Sequence, residues 1–268
     1  LLMTGAAAVA AAGAAPPALP LRIERARTVQ GGHVVLRTEP RAALFVDGAL
    51  MGRASAQGLA VVGFDRDAPL ETNIAVHAHG QAAAVELSVR PGEFDVQHVR
   101  GLPQNTVTPS DPALLDRIRR EAALKAAGFG SAWDGDAFAG GFAWPVEAPT
   151  SARFGGARVL NGVQSRPHYG VDLACPTGTP VRAPAAGLVT LAEPDLHYEG
   201  GLVLLDHGQG LVSAYLHLSE VAVRPGEVVE AGRRLGASGA RGRATGPHLC
   251  WRLKWRGRNL DPSLWVTA

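Results

Sequence analysis

The chain has 268 residues, of which 46% are hydrophobic and 19% are charged, a composition typical of a globular protein with room for two domains. Its net charge of +2 is too small to indicate a partner made of nucleic acid. After the N-terminal segment, no apolar run is long enough to span a membrane.

Residues 1–20 form an Ala-rich segment that ends in Pro-Pro-Ala-Leu-Pro. This pattern resembles the hydrophobic region and small-residue cleavage zone of a secretory signal, although the basic residues that usually come first are missing. An Ala/Pro-rich tail is the alternative. The signal-like pattern favours a periplasmic or secreted protein with no transmembrane helix in the mature chain.

Short apolar runs separated by turn signals such as Asp47-Gly48 fill residues 22–104 and predict a small β-sandwich-like domain. The domain contains one candidate metal motif, the H-x-H pair His77-Ala78-His79. No Asp or Cys lies nearby to complete a ligand set, so we favour two histidines at a strand end.

Residues 110–141 are predicted to form a linking α-helix followed by a glycine-rich linker. Asp111 can cap the helix, Pro112 suits its first turn and Gly128 can end it. Residues 128–141 contain five glycines and are predicted to be a flexible linker or lid. The apolar stripe is expected at Leu115, Ile118 and Ala122, and a solvated charged face at Arg117, Arg119, Arg120 and Glu121.

From residue 142 to the C-terminus the pattern is strand after strand, and three segments carry candidate metal ligands. The first is Arg-Pro-His-Tyr-Gly-Val-Asp at residues 166–172, in which His168 and Asp172 offer an imidazole and a carboxylate. On one straight strand these residues would stand ~13 Å apart. The chain is therefore expected to bend between them, and Gly170 permits the bend.

The other two segments alternate like half-buried strands. In residues 211–218 the alternation predicts one face with Val212, Ala214, Leu216 and Leu218, and the other with Ser213, Tyr215 and His217. In residues 245–254 it predicts that His248, Cys250, Arg252 and Lys254 share one face. Three segments thus offer His, Asp, His, His and Cys, which is enough for a catalytic zinc site.

These segments, His-Tyr-Gly-Val-Asp, Tyr-Leu-His-Leu-Ser and Gly-Pro-His-Leu-Cys, resemble the three signatures of lysostaphin-like (LytM-type) zinc metalloendopeptidases. The resemblance extends from about residue 142 to the C-terminus, including Phe154-Gly155 and the stretch 176–187. It implies an antiparallel β-sheet peptidase domain at residues 142–268 and hydrolysis of the peptide cross-links of bacterial peptidoglycan. The implied partners are therefore peptidoglycan peptide stems.

By this resemblance, His168 and Asp172 are expected to be the first two ligands of Zn²⁺, and His217 and His248 the catalytic pair. The third ligand is normally the second histidine of an H-x-H pair, and Cys250 stands there. A thiolate can bind zinc. Because it is anionic, the bound water should be less acidic and activity could fall.

The same segments give expectations for five more residues. Tyr215 and Arg252 are expected to contact substrate, although a basic residue at a strand end can equally be without function. Asp206-His207 is expected to be structural. Cys175, three residues after Asp172, should point away from the metal on a regular strand, so a Cys175–Cys250 disulfide is possible but not favoured.

Three functional classes remain open at this stage. The favoured one is an active zinc endopeptidase. The second is a catalytically degenerate module of the same fold that binds the cell wall or activates other wall hydrolases. The third, a purely structural envelope-binding protein, leaves the His/Asp set unexplained.

Overall fold

The computed structural model describes residues 18–267, so the signal-like segment lies outside the described residues except for its last three. The protein is mostly β, as the sequence predicts. No helix within residues 18–267 combines the length and the apolar character that crossing a membrane requires.

The N-terminal part contains eight strands, in chain order β1 (Leu21–Arg27), β2 (His33–Thr38), β3 (Ala43–Val46), β4 (Ala49–Arg53), β5 (Leu59–Gly63), β6 (Glu71–Ala78), β7 (Gln81–Ser88) and β8 (Val96–Val99). Two helices follow, α1 (Gln104–Val107) and α2 (Pro112–Phe129), and then a 3₁₀ turn (Ala137–Gly140).

The remaining strands are β9 (Thr150–Ala152), β10 (Ala157–Leu160), β11 (Val163–Ser165), β12 (Val171–Leu173), β13 (Pro180–Arg182), β14 (Gly187–Leu196), β15 (Gly200–Asp206), β16 (Leu211–Leu218), β17 (Glu220–Val221), β18 (Val228–Val229), β19 (Arg234–Ala237), β20 (Leu249–Trp255) and β21 (Arg258–Leu260). A second 3₁₀ turn, Pro262–Trp265, ends the assigned elements.

The first seven strands form two antiparallel sheets, with strand orders β1-β2-β5 and β4-β3-β6-β7. In β6 the side chains of Thr72, Ile74 and Val76 are buried and alternate with more exposed ones, which is the pattern of a strand with one face on a core. The two sheets share one hydrophobic cluster. Strand β8 leaves this part of the chain and pairs in parallel with β10.

Helix α2 begins where the sequence predicts and differs in its end and its buried face. The carboxylate of Asp111 accepts a hydrogen bond from the Ala113 amide at 3.0 Å, which caps the helix. The helix continues to Phe129, so Gly128 does not end it. A Cβ at Gly128 would lie 2.8 Å from Cδ1 of Leu204, so glycine here lets the last turn approach β15 closely.

The predicted apolar stripe of α2 was wrong at its last residue, because Ala122 is exposed and the neighbouring Glu121 is buried. Glu121 was expected on a solvated face. Instead, its carboxylate accepts hydrogen bonds from Arg117 Nε at 2.6 Å and from the His197 amide at 2.8 Å. A carboxylate can be buried when both of its oxygens accept hydrogen bonds, because these bonds offset the cost of removing it from water. A pattern of hydrophobic residues in the sequence contains no information about such bonds.

The glycine-rich stretch 128–141 is packed against the protein, which differs from the flexible linker expected. Asp206 accepts hydrogen bonds from the Ser131 hydroxyl at 2.6 Å and the Trp133 amide at 2.9 Å. Phe138 is fully buried, and Arg25 donates to its carbonyl at 2.8 Å. These contacts tie the stretch to strands on both sides of it.

The C-terminal part is built on an eight-stranded antiparallel sheet with the order β18-β14-β15-β16-β20-β12-β9, in which β21 also pairs with β20. One face joins the main core through Leu205, Tyr215 and Trp251. The other face, which includes Leu204, Leu216 and Cys250, forms a second cluster against Phe129 of α2. Helix α2 therefore covers part of the sheet face that bears Cys250.

The N-terminal and C-terminal parts share their main core. The ring of His33 in β2 stacks on Trp265 with 3.8 Å between ring centroids. Arg258 donates to the Gly63 carbonyl at 3.0 Å, and a Cβ at Gly63 would lie 2.7 Å from Leu260. Strand β2 is buried along nearly its whole length, because the N-terminal sheets and the C-terminal part together cover both of its faces.

Asp206 and His207 have the structural role expected for them. Both are fully buried. Nδ1 of His207 donates to the Ala186 carbonyl at 2.8 Å, and its Nε2 lies 2.8 Å from the Ser213 hydroxyl. His207 thus ties the end of β15 to Ala186 and to β16, while Asp206 holds the stretch that follows α2.

Candidate metal centre

His168 and Asp172 lie on either side of the bend that their spacing requires. Nε2 of His168 is 3.0 Å from Oδ1 of Asp172. The backbone of His168 is held by hydrogen bonds to Gly155 and Gly156, at 2.7 and 2.8 Å. Gly170 is needed for close packing, because a Cβ there would lie 2.8 Å from the Trp251 carbonyl oxygen.

Cys250 completes a three-residue group, because β12 and β20 pair with Asp172 directly opposite Cys250. The Cys250 Sγ atom is 3.5 Å from Nε2 of His168, and the three ligand atoms all lie within 4.8 Å of one another. All three residues are buried. Among residues 18–267 this is the group of His, Cys, Asp or Glu side chains close enough together to hold a metal ion.

The orientation of the three side chains directs free donor atoms at one point. Nδ1 of His168 donates to the Arg153 carbonyl at 3.2 Å, which leaves Nε2 for a metal. Oδ2 of Asp172 accepts from Arg158 at 3.0 Å, whereas the buried Oδ1 has no hydrogen-bond partner outside the group and faces Nε2 of His168 at 3.0 Å. Burial alone would raise the pKa of Asp172, but His168, His248 and Arg158 outweigh it and hold that pKa well below its usual range. The group is therefore an anionic donor set that suits a divalent cation.

His217 and His248 stand beside this group with 4.7 Å between their ring centroids. Nδ1 of His217 donates to the Arg241 carbonyl and Nδ1 of His248 to the Gly246 carbonyl, each at 2.8 Å. In both rings Nε2 is thereby left as an acceptor, and that of His248 lies 3.8 Å from Oδ1 of Asp172.

Both of these histidines are neutral near pH 7. Burial lowers the pKa of His217 to about 4, and its hydrogen bond to the Arg241 carbonyl opposes the shift only in part. Burial and the neighbouring His217 likewise lower the pKa of His248. Neutral imidazoles with a free Nε2 can accept a proton, which is what a general base requires.

A β-bulge brings His217 to this face, whereas strict alternation had predicted it on the opposite face, with Ser213 and Tyr215. Leu216 and His217 together stand opposite the single residue Leu202, and His217 has a positive φ of 65°. The extra residue turns His217 to the side of Leu216 and returns Leu218 to the main core beside Tyr215.

The bulge also removes Tyr215 from the candidate site, so the expectation that it contacts substrate was wrong. Tyr215 is fully buried in the main core, and its hydroxyl lies 2.8 Å from that of Ser213. Arg252 does lie near the site, but its nearest polar partner is a candidate ligand. Its Nε donates to Cys250 Sγ at 3.4 Å.

Arg158 is the residue at this site that sequence analysis missed. It lies on β10 and holds Asp172 from outside the candidate ligand group. A single arginine on a short strand carries no pattern of its own. Only the tertiary structure, which brings Arg158 of one sheet to within 3.0 Å of Asp172 in another, reveals it.

Two other sequence candidates are settled by contacts. Cys175 and Cys250 are both free thiols, so the disulfide is absent. His79 is 79% exposed with Nε2 3.8 Å from a Glu39 oxygen, and His77 packs on Phe45 with 4.5 Å between ring centroids. The H-x-H pair therefore does not converge on a metal site.

An open groove of about 570 Å³ reaches the candidate centre. Its walls come from the 95–102 segment, the 150–153 segment and the loop 243–248, and Asp172, His217 and His248 lie at its floor. A chain in extended conformation could lie in this groove with a backbone carbonyl at the two histidines.

Comparisons with known proteins agree with this geometry. The family model for peptidase family M23 matches residues 166–262. A solved structure of a peptidase M23 protein from Pseudomonas aeruginosa is 31% identical, with a TM-score of 0.67, and the match covers 90% of this chain and 95% of that one.

Curated relatives match a shorter part. Peptidoglycan DD-endopeptidase ShyA of Vibrio cholerae is 42% identical over 106 residues, which is 39% of this chain and 24% of ShyA. DD-carboxypeptidase/endopeptidase Mpg of Neisseria meningitidis is 39% identical over 97 residues, which is 36% of this chain and 22% of Mpg. The match thus spans about a quarter or less of the length of these curated relatives.

Proposed function

Because this chain belongs to peptidase family M23, we propose that it is a zinc-dependent endopeptidase that hydrolyses the peptide cross-links of bacterial peptidoglycan. Relatives named peptidoglycan DD-endopeptidase support a cell-wall hydrolase. The observation that carries the proposal is the convergence of three buried donor atoms beside two neutral histidines. A peptidoglycan substrate implies action in the periplasm or outside the cell.

The donor set fits zinc. Zinc binds N, O and S donors at ~2.0–2.3 Å in a tetrahedron, so its ligand atoms stand ~3.3–3.8 Å apart. The spacings of 3.0 and 3.5 Å from His168 Nε2 to its two neighbours are close to this range. The buried Oδ1 of Asp172, which has no hydrogen-bond partner outside this group, supports the same assignment. His168, Asp172 and Cys250 would hold the ion and leave its fourth position open.

When bound, zinc would polarise the scissile carbonyl and make a water molecule easier to deprotonate. His217 and His248 would supply the proton transfers. One neutral Nε2 accepts the proton of the attacking water as its oxygen bonds to the carbonyl carbon. The resulting imidazolium can stabilise the developing oxyanion and then return the proton to the amine as the C–N bond breaks.

The second candidate function is a catalytically inactive module of the same fold that binds the wall or activates other hydrolases. The observation that favours it is the cysteine at position 250, since an anionic ligand lowers the net charge of the metal centre. The retained His217 and His248, with Nδ1 of each fixed on a carbonyl, favour the enzyme.

Release of soluble peptides from purified sacculi, measured in reducing buffer with added zinc, tests the proposal. We expect turnover by the natural protein, and a loss of ~10²–10⁴-fold in His217→Ala with zinc content unchanged. His79→Asn is the matched control, because it removes an exposed histidine outside the metal group. Equal inactivity of the natural protein and His217→Ala, together with clear activity of Cys250→His, would establish the inactive module instead.

A further inference from the structure

A second and larger cleft, of about 1020 Å³, lies next to the candidate metal centre. It is bounded by α2, by the loop 165–169 and by the end of β20 with the turn that follows it. Arg158 and Arg243 line both this cleft and the first groove, so the two adjoin at the candidate ligands. A bound chain that enters the first groove could therefore continue into the second cleft past the reacting bond.

The lining of this second cleft is strongly positive. One carboxylate, that of Glu199, lies among the lining residues, and Lys125 binds it at 2.6 Å. Arg158 is paired with Asp172 and Arg252 with Cys250. Four further cations line the cleft without an ion pair to any described carboxylate: Arg166, Arg243, Lys254 and Arg256.

Three of these four cations are partly buried, which makes the missing counter-ion costly. Burial lowers the pKa of Arg243, Lys254 and Arg256, and the nearby charge of Arg252 lowers that of Lys254 further. Their neighbours are aromatic: Arg243 lies over the ring of Tyr198 at 4.8 Å and Lys254 over that of Phe129 at 4.6 Å. An anionic ligand would stabilise these side chains.

We propose that this cleft binds the free carboxylates of an acidic peptide, and so selects substrates whose chain carries such groups on one side of the scissile bond. The inference rests on the proposed function, because the cleft adjoins the centre that would cut a peptide. The lining favours discrete carboxylates over a polyanion. The unpaired cations are individual side chains within one concave cleft and do not form an extended positive surface. The whole chain carries a net charge of only +2, which is too small to attract a polyanion over a distance.

Binding is measured with zinc-loaded His217→Gly protein, which should consume the probe too slowly to disturb the measurement. The probes are a synthetic peptide with two free side-chain carboxylates, the same peptide with both carboxylates amidated, and inorganic polyphosphate. The test variants are Lys254→Gln and Arg166→Gln, alone and combined. Arg224→Gln is the matched control, since it removes one positive charge from an exposed turn outside the cleft.

We expect each test variant to weaken binding of the free-carboxylate peptide about tenfold, as the loss of a hydrogen bond between charged groups predicts. The amidated peptide should bind weakly and be insensitive to these variants, and Arg224→Gln should have no effect. Equal binding of both peptides, equal weakening by Arg224→Gln, or polyphosphate that binds more tightly than the acidic peptide would each overturn the inference.

Turnover measurements separate this inference from the proposed function. With His217 intact, Lys254→Gln should raise KM for the free-carboxylate peptide about tenfold and leave kcat unchanged. If the natural protein cleaves both peptides with the same KM and the variants do not alter it, the inference fails and the endopeptidase stands. If it cleaves neither peptide, the proposed function fails, while the binding experiment still shows whether the cleft binds free carboxylates.

Discussion

At the residue scale, each residue that would be an anionic ligand of bound zinc has a guanidinium of its own. Arg158 donates to Oδ2 of Asp172 at 3.0 Å, and Arg252 donates to Sγ of Cys250 at 3.4 Å. A donor set with two anions attracts a cation strongly and leaves it less charge with which to polarise substrate. Arg252 is placed to offset the second of these anions, the one that replaces a neutral histidine.

This arrangement predicts that the contribution of Arg252 to zinc affinity depends on which residue occupies position 250. In the natural protein, Arg252→Gln should lower zinc affinity ~10- to 100-fold, as expected when a partner of a metal ligand is removed. In the Cys250→His background the same change should cause no loss, because a neutral imidazole gains nothing from a cation. Competition with a chromophoric chelator under reducing conditions measures both affinities.

The Arg252 prediction has an internal control. Arg224→Gln should leave zinc affinity unchanged in both backgrounds. Cobalt-substituted protein should show thiolate-to-metal absorption in the natural sequence and none in Cys250→His. An identical loss of affinity from Arg252→Gln in both backgrounds would mean that Arg252 does not act through the sulfur of Cys250.

Replacing Cys250 itself tests how the ligand set limits turnover. Cys250→His should retain zinc and increase the release of peptides from sacculi, because a neutral ligand leaves more positive charge on the metal. Combining it with Arg252→Gln should increase activity further, since a partly buried cation without its anion is removed. A Cys250→His protein that binds zinc and is slower than the natural one would contradict this account.

At the scale of elements, the bulge in β16 determines which side chains reach the site. Two residues opposite one partner reverse the alternation at His217, and its φ of 65° is the left-handed conformation that glycine adopts most easily. The sequence predicted the strand, which the structure confirms, and the resemblance assigned His217 a catalytic role, which stays a prediction. It could not predict the bulge, because a side-chain pattern with a period of two contains no sign of an inserted residue.

The positive φ of His217 predicts different stabilities for two inactive variants. His217→Ala retains the strained conformation, whereas His217→Gly relieves it, so the glycine variant should be more stable by about 1 kcal/mol. Chemical denaturation of the metal-free proteins measures the difference. Equal stabilities, or a less stable glycine variant, would show that the bulge does not strain the backbone at this position.

Other elements show where sequence patterns succeed. The i+4 spacing of His168 and Asp172 and the alternation of β20 supplied candidate ligands, and the resemblance of three short motifs to a known family predicted that these residues and Cys250 lie together, as they do. All of these signals are local in the sequence. The buried face of α2 was predicted incorrectly, because Glu121 is held by His197 from the turn after β14, far away in the sequence. Contacts of this kind depend on tertiary structure and leave no periodicity in the sequence.

At the scale of the whole molecule, the main hydrophobic cluster runs from the N-terminal sheets into the C-terminal sheet. A boundary near residue 142 remains a prediction, and limited proteolysis can test it. Because stretch 128–141 is anchored through Asp206 and Arg25, we expect the first cuts in the more exposed segment 100–111. First cuts within 128–141 would support the flexible linker that the glycines suggested.

The contact between the two parts also predicts a dependence of stability on pH. His33 is fully buried, neither ring nitrogen has a hydrogen-bond partner, and burial lowers its pKa to about 3, with Arg25 and Arg27 adding to the shift. In the unfolded chain the pKa returns to ~6.5, so the unfolded state takes up the proton first as pH falls. The stabilising contribution of a neutral His33 is therefore complete above ~pH 6.5 and decreases below it.

Replacing His33 by phenylalanine isolates that contribution, because the variant keeps an aromatic ring against Trp265 and cannot take up a proton. Between pH 7 and pH 4.5 the natural protein should lose about 2–3 kcal/mol more of its unfolding free energy than His33→Phe does. Burial also lowers the pKa of His207 and of His217, each to about 4, and the pKa of His248, so the variant should keep a loss from these three histidines in the same window. Urea denaturation of both metal-free proteins across this range gives the two slopes. If the unfolding free energies of the two proteins change equally with pH, then proton uptake by His33 is not linked to the loss of its buried contact with the C-terminal 3₁₀ turn.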